Sequence, residues 1–255
     1  MAEVLFKKVD YTLNKLIEDI EFGEIGLPDI QRPFVWPASK VRDLFDSMYR
    51  GYPIGYLLFW ENGFPGEHKF IGEGKKQKVP KLLIVDGQQR LTSLYAVVKG
   101  KKVIGKDFRP YVIRIAFNPL EERFEVTNAA IENDVNWIPD ISELWRPTTV
   151  AFEFITSFLE RIRSKRDLTE SESKKVAAAI SRLEKLLDYP LTALEVSSSV
   201  DEDQVAEIFV RINSKGTPLN QADFILTLMS VFWDEGRAQL EDFCRRSKNP
   251  PDGGK

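Results

Sequence analysis

The chain has 255 residues, of which 43% are hydrophobic, and a formal net charge of −3 at pH 7. This length and apolar content predict a globular protein with one large core or two smaller ones. The net charge excludes a surface evenly coated with positive potential for DNA, although local lysine-rich patches can still exist. The single cysteine and single histidine exclude an intramolecular disulfide. They also cannot supply the usual ligands of a zinc site or an HNH-type nuclease centre.

Membrane and secretory signals are absent from the sequence. No apolar run approaches the roughly 20 residues that are needed to cross a bilayer, and the first residues do not have the pattern of a signal peptide. Cys244 has no second cysteine with which to form an internal bridge. We therefore expect a cytoplasmic protein without membrane contact.

The first half of the chain alternates helical and strand patterns, identified by the spacing of apolar residues. The predicted elements are a helix over Leu13–Ile20 with Thr12 as N-cap, a helix over Val41–Met48 after Pro37, a buried strand at Ile54–Trp60, a buried strand at Leu82–Val85, a helix over Leu91–Val98, a strand at Tyr111–Phe117 and a strand at Arg123–Val126 that pairs with it. This alternation predicts a mixed sheet with helices packed on it.

Helical spacing dominates from about residue 133. The predicted elements are a helix over Phe152–Ile162, a helix over Val176–Leu187 with a Thr169/Glu172 capping box, a short strand at Leu191–Val196, a helix over Val205–Ile212 and a helix that begins at Asn220. The fold class is therefore predicted to be α/β (α+β). We place an α/β domain at residues 1–130, a mainly helical domain at 131–247 and a tail or linker at 248–255.

The most informative segment runs from Leu82 to Ser93, where a buried strand ends in Asp86-Gly87-Gln88-Gln89-Arg90 before a helix. A strand that turns through glycine into a helix presents free backbone N–H groups and the positive end of the helix dipole, which suit a phosphate. Arg90 can add a forked positive charge, and Asp86 can hold Mg²⁺ or position an attacking water. The alternative is an ordinary helix start, in which Asp86 is the N-cap and the glutamines are only solvated.

Two further segments contain residues that could contact a nucleotide. Between Leu27 and Pro37, two prolines stiffen the backbone around Gln31 and Arg32, so that Arg32 could bind a phosphate. Phe34 and Trp36 in this segment could stack on a base, but packing in the core is favoured for both. In the other segment, Gly216 and Pro218 are explained by a corner between two helices, which leaves Arg211, Asn213 and Lys215 as candidate nucleotide contacts.

The order of these segments resembles the ParB/sulfiredoxin superfamily. It resembles more closely the amino-terminal domain of GmrSD-type restriction endonucleases, long catalogued as a domain of unknown function. The resemblance rests on Gln31-Arg32 with Val35-Trp36, the Gly51-Tyr52-Pro53-Ile54 step, Asp86 to Arg90, and the stretch from Arg211 to Leu219. It implies a ParB/sulfiredoxin-like mixed-sheet fold in the first half and covers nearly the whole chain.

The resemblance implies hydrolysis of a nucleoside triphosphate, with Mg²⁺ as the expected cofactor, to regulate DNA cleavage in defence against phage or foreign DNA. We assign Asp86, Gln89 and Arg90 as catalytic, with Asp86 also as the metal ligand. The expected nucleotide-binding residues are Gln31, Arg32, Gly87, Gln88, Thr92, Ser93, Arg211, Asn213 and Lys215. Expected partners are DNA and a nuclease located in another domain or subunit; self-association is possible.

Two other hypotheses remain open at the level of sequence. The chain could be a DNA-binding or modified-DNA-sensing module without hydrolysis, which would use the lysines near His68 to track phosphates. It could also be a ParB-like metal-dependent nuclease. That activity would require carboxylates such as Asp86, Glu61 and Asp29 to meet.

Overall fold

The computed structural model describes residues 4–26, 33–61, 80–105 and 109–213, together with 236, 239–240, 242–243 and 246. The strands in these ranges are β1 (Phe6–Thr12), β2 (Ile25–Gly26), β3 (Pro33–Phe34), β4 (Leu57–Glu61), β5 (Leu82–Asp86), β6 (Lys102–Gly105), β7 (Pro110–Val112), β8 (Ile115–Asn118), β9 (Arg123–Val126) and β10 (Pro190–Val196). The α-helices are α1 (Leu13–Glu21), α2 (Ala38–Tyr49), α3 (Gln88–Val98), α4 (Ala129–Asn133), α5 (Ala151–Arg163), α6 (Glu170–Glu184) and α7 (Glu202–Asn213). None of the described helices is long and apolar enough to cross a membrane.

A five-stranded mixed sheet forms the centre of the fold, with the strand order β1-β10-β4-β5-β2. The β1–β10 and β4–β5 pairs are antiparallel, whereas β10–β4 and β2–β5 are parallel. A three-stranded sheet (β3-β6-β7) and the β8–β9 hairpin lie outside it. The mixed sheet with helices confirms the predicted α/β class. The likeness to the ParB/sulfiredoxin fold stays a prediction.

Side chains alternate between the two faces of this sheet along the central strands, and apolar side chains are buried on both faces. Leu57, Phe59 and Ile84 point into the main core, which also contains apolar residues of α1, α2, α3, α5 and α6. The alternate residues of β4 and β5 form a second cluster on the opposite face, where Val205 and Phe209 of α7 cover them. Because helices cover both faces, the end of β5 is held rigidly between two packed layers.

Local capping fixes the ends of two helices as predicted. The Thr12 side chain accepts a hydrogen bond from the Lys15 backbone at the start of α1. At the start of α6, the Thr169 and Glu172 side chains each accept a hydrogen bond from the other residue's backbone N–H, which completes the capping box. The Arg123–Val126 strand also pairs with Ile115–Asn118, as predicted.

Strand β10 links the two halves of the chain. The sequence predicts a strand at this position, and the structure places it inside the five-stranded sheet, between β1 and β4. Residues from both predicted domains therefore contribute to one sheet and one main core. The boundary near residue 130 stays a prediction, as does the tail at 248–255, which lies outside the described residues.

The structure differs from the predicted elements in the segment Tyr111–Phe117. Instead of one strand it contains β7 and β8, which pair with different partners, β6 and β9. The alternation of apolar residues could not distinguish one long strand from two short ones, because side chains alternate between faces in strands of any length. The helix predicted to begin at Phe152 is present as α5, in which Phe152 is 76% exposed and the buried residues are Phe158 and Ile162.

Candidate functional site

The end of β5 passes directly into α3 at Gly87, as the sequence predicts. Gly87 has a φ of +90° and occupies the N-cap position of α3. A Cβ atom at Gly87 would lie 2.5 Å from the Cδ2 atom of Leu57. Glycine is therefore required both by the backbone conformation and by the close approach of β4. We call the segment from Asp86 to Arg90 the motif junction.

The interpretation of Asp86 as a helix N-cap is wrong, because Gly87 occupies that position. Glycine has no side chain that could accept a hydrogen bond, so the first backbone N–H groups of α3 do not donate to a capping side chain at residue 87. Asp86 is only half-buried. Within the described residues, no hydrogen bond or ion pair engages its carboxylate.

Arg90 is held beside Asp86 by backbone rather than by a carboxylate. Its Nη1 atom donates a 2.7 Å hydrogen bond to the backbone carbonyl of Tyr56. Burial lowers the pKa of the Arg90 guanidinium, and the nearby charge of Asp86 partly opposes this effect. An arginine remains protonated under such conditions. The motif junction therefore contains a desolvated positive charge that no described carboxylate pairs within ion-pair distance.

The two glutamines are ordered by contacts with the backbone. Gln88 donates from Nε2 to the Ile84 carbonyl at 3.1 Å. The Oε1 atom of Gln89 accepts a 3.1 Å hydrogen bond from the Val35 backbone N–H. The Val35 contact joins the motif junction to the proline-stiffened segment that the sequence singled out.

The two aromatic residues of that segment pack in the fold. Phe34 is buried, which confirms its predicted packing role. Trp36 packs against the core, and Lys40 lies 4.2 Å from its ring centroid.

Thr92 and Ser93 lie inside the fold rather than at its surface. Ser93 is fully buried and donates from Oγ to the Gln89 carbonyl at 2.6 Å. The Oγ1 atom of Thr92 is buried and has no hydrogen-bond partner among the residues that the structure describes. Both residues lie behind the first turn of α3, and their direct contact with a nucleotide stays a prediction.

The other five predicted nucleotide-binding residues lie either outside the described residues or on α7. Gln31, Arg32 and Lys215 lie outside the described residues. Arg211 is exposed near the end of α7 and forms an ion pair with Glu207 one turn earlier on the same helix. Asn213 is the last residue of α7. The nucleotide-binding roles of these five residues therefore stay predictions.

Two of the carboxylates proposed for a nuclease, Asp86 and Glu61, do not meet at the motif junction. In the β4–β5 pair, Asp86 lies opposite Leu58, whereas Glu61 lies opposite Leu82 at the start of β5. Four residues of strand separate Asp86 from the Glu61 position by about 13 Å. Asp29 lies outside the described residues. Among the described residues, no group of three or more His, Cys, Asp or Glu side chains could hold a metal ion.

A second group of charged residues was not predicted from the sequence. Lys7 on β1 forms ion pairs with Glu61 at 2.7 Å and with Glu195 at 2.9 Å, and the Tyr11 hydroxyl donates to the same Glu195. We call Lys7, Tyr11, Glu61 and Glu195 the paired cluster. It lines part of a cavity of about 650 Å³ between the sheet and α1. Glu195 within the apolar strand β10 was the only signal for it.

Comparison with protein families decides the relationship of the chain. Residues 13–230 match the model described as the N-terminal domain of the GmrSD restriction endonuclease. The chain belongs to this family. This membership confirms the resemblance found in the sequence.

A relative in Methanocaldococcus jannaschii, named "Uncharacterized protein MJ0686", is 27% identical to the chain over 248 residues. The alignment covers 85% of the chain but 41% of the relative. The chain therefore spans about two fifths of the length of this relative. The motif junction lies within the range matched by the family model.

Proposed function

We propose that this GmrSD-family domain binds and hydrolyses a nucleoside triphosphate and thereby regulates DNA cleavage. The proposal is carried by one observation: next to the N-terminus of α3, the motif junction holds a desolvated guanidinium and a carboxylate that has no hydrogen-bond or ion-pair partner among the described residues. A metal–triphosphate complex contains negative phosphates, which Arg90 can bind, and a positive metal ion, which Asp86 can bind. A phosphate needs N–H donors and positive charge, and its metal ion needs a carboxylate.

The phosphate chain is proposed to lie at the first turn of α3. The backbone N–H groups after Gly87 are the donors, and the dipole of this 11-residue helix adds to their attraction for an anion. Arg90 would offset negative charge that develops on the transferred phosphoryl group. Gln89, which the Val35 backbone holds in place, is suited to orient the attacking water through its remaining amide donors.

Asp86 fits the coordination chemistry of Mg²⁺. This ion is commonly bound by one or two carboxylates, with waters and substrate phosphates as its other ligands. A half-buried carboxylate without a described partner matches that requirement, and a larger acidic cluster is unnecessary. When bound, Mg²⁺ would neutralise charge on the phosphates and help to align them.

The other assignments extend this proposal. Gln31, Arg32, Arg211, Asn213 and Lys215 are proposed as further nucleotide contacts on the strength of the sequence pattern. The Val35–Gln89 hydrogen bond supports the first two, because it ties their segment to the motif junction. DNA and a nuclease in another domain or subunit are the proposed partners. Relatives longer than this chain have room for such a domain.

A phosphate-release assay with each of the four common nucleoside triphosphates tests the proposal. The chain should hydrolyse at least one of them with Mg²⁺, and Asp86→Ala should reduce kcat/KM by about 100-fold or more. Asp188→Ala is the control, because Asp188 is an exposed aspartate at the end of the 3₁₀ helix Lys185–Asp188. It should leave turnover unchanged.

Absence of both binding and turnover for all four nucleotides would refute the proposal. Binding can be followed separately, since a ligand that binds the folded state raises its melting temperature in a concentration-dependent way. DNA affinity that falls steeply with salt and survives Asp86→Ala, without any turnover, would favour the non-hydrolysing DNA-binding module instead.

A further inference from the structure

The loop between α2 and β4 passes directly over the Arg90 guanidinium. Gly55 in this loop has a φ of +90°. A Cβ atom at Gly55 would lie 3.1 Å from Nη2 of Arg90, 3.4 Å from Cζ and 3.5 Å from Nη1. Because residue 55 has no side chain, the Arg90 guanidinium can lie close to the loop backbone.

Gly87 and the Tyr56 carbonyl complete the enclosure of the guanidinium. A Cβ atom at Gly87 would lie 3.4 Å from Nη1 of Arg90 and 3.6 Å from the Tyr56 carbonyl oxygen. The same Nη1 donates to this oxygen at 2.7 Å. We call Gly55, the Tyr56 carbonyl and Gly87 the arginine slot. It holds the guanidinium between two stretches of backbone that come close because Gly55 and Gly87 have no side chains.

The arginine slot removes water from Arg90 without neutralising it. A carbonyl oxygen is a neutral acceptor, and it occupies only part of the forked donor set of the guanidinium. Among the described residues, no carboxylate lies within ion-pair distance of Arg90, and such a partly buried cation attracts an anion strongly because solvent screens the interaction less than at an exposed site. The position of Arg90, rather than its presence alone, then determines where that anion is held.

We infer that Gly55 is a positioning residue for the proposed triphosphate hydrolysis, because it allows the Arg90 guanidinium to lie at the motif junction, where the phosphates bind. This inference rests on the proposed function and deepens it. Gly55 itself touches no phosphate. It acts through Arg90, and any side chain at residue 55 moves the guanidinium away from the loop.

The geometry makes this effect separable from a general loss of folding. The atoms that an alanine at residue 55 would meet belong to the end of the flexible Arg90 side chain. The side chain can move aside, so the damage falls on the position of the guanidinium. Gly51, in the same loop, has a similar φ of +73° but nothing within 4 Å of its would-be Cβ. Gly51→Ala therefore reproduces the backbone strain without the contact.

The test compares Gly55→Ala with Gly51→Ala in steady-state triphosphate hydrolysis by the full chain. Both variants should show similar, modest decreases in melting temperature, because both place alanine at a positive φ. Only Gly55→Ala should lower kcat, by about tenfold or more, since a small misplacement of a charge-stabilising group is costly. Equal losses of kcat in the two variants would overturn the inference.

Arg90→Ala provides the second arm of the test. If Gly55 acts through Arg90, then Gly55→Ala should cause no further loss of kcat when it is combined with Arg90→Ala. A full additional loss in the double variant would show that residue 55 acts by another route, and would overturn the inference.

A ligand-free measurement separates this inference from the proposed function. The unfolding free energies of the unmodified chain, Gly55→Ala, Arg90→Ala and the double variant form a double-mutant cycle. In this cycle, contact between residues 55 and 90 appears as a coupling free energy. Coupling together with unchanged kcat in Gly55→Ala would refute the inference while the proposed function stands. Coupling without turnover in the unmodified chain would refute the proposed function, and with it the catalytic importance of Gly55. Absence of coupling would refute the arginine slot.

Discussion

The paired cluster and the motif junction both place charged side chains against the five-stranded sheet, but they balance those charges differently. In the paired cluster, the carboxylate of Glu195 is 5% exposed and receives hydrogen bonds or ion pairs from Tyr11 and Lys7. At the motif junction, Arg90 donates to a neutral carbonyl, and Asp86 has no partner among the described residues. The first region pairs its charges with one another, whereas the described part of the chain pairs neither Asp86 nor Arg90 with an opposite charge at ion-pair distance.

This difference distinguishes a structural role for the paired cluster from the binding role that we propose for the motif junction. A buried charge without a partner is costly, so a fold keeps one where a ligand supplies the missing interaction. Removal of a member of the paired cluster should therefore reduce stability and leave catalysis intact. Removal of Asp86 should have the opposite pattern. Measurements of unfolding free energy and of turnover on the same variants can test this contrast.

The largest effect on stability is expected for Glu195→Ala. This substitution leaves the Tyr11 hydroxyl without its acceptor and creates a void beside Phe59 in the sheet. The free energy of unfolding should fall by about 2 to 4 kcal/mol. Urea denaturation followed by circular dichroism measures the loss, and turnover per folded molecule should remain near that of the unmodified chain.

Asp10→Ala on strand β1 is the matched control for Glu195→Ala. Asp10 pairs with Lys8 at 3.5 Å, and both side chains are more than half exposed. Exposed pairs of this kind contribute little, so the loss should stay below about 1 kcal/mol. Equal losses in the two variants would contradict the structural role of Glu195.

A smaller, pH-dependent effect is expected for Tyr11→Phe. Burial raises the pKa of the Tyr11 hydroxyl, and the hydrogen bond to Glu195 raises it further. A raised pKa means that the folded state favours the protonated hydroxyl. Its stabilisation is then complete below the unfolded-state pKa of about 10 and is lost as the pH rises above that value.

Tyr11→Phe should therefore lower the free energy of unfolding at about pH 8 by about 1 kcal/mol. It should also make the further decline of stability at alkaline pH less steep. Urea denaturation at several pH values between about 8 and 11 measures both quantities. Tyr52→Phe, at an exposed tyrosine, is the control. A decline as steep in Tyr11→Phe as in the unmodified chain would show that the Glu195 contact does not favour the protonated hydroxyl.

Local patterns in the sequence predicted much of the fold, because they depend on neighbouring residues. Three features follow from spacing or side-chain chemistry within a few residues: the strand that begins at Leu82, the turn at Gly87, and the capping box of Thr169 and Glu172. The place of β10 between β1 and β4 could not be predicted in this way. It depends on pairing between segments that are far apart in sequence.

The candidate site was predictable to a similar extent. The motif residues Asp86 to Arg90 were identified from a strand-to-helix pattern and the resemblance to a family. The contact of Arg90 with the Tyr56 carbonyl was not, since it joins residues 34 positions apart through a loop conformation. The Tyr11–Glu195 bond was missed for the same reason, because 184 positions separate the two residues.

The smallest effect on stability is expected for Asp86→Ala, the variant that should abolish most of the turnover. Its carboxylate forms no hydrogen bond or ion pair within the described part of the chain, so alanine removes only a weak attraction to Arg90. The free energy of unfolding should change by less than about 0.5 kcal/mol. Urea denaturation beside Glu195→Ala measures the change. A loss as large as that of Glu195→Ala would make Asp86 part of the structural framework, and its lack of a described partner would no longer indicate a ligand site.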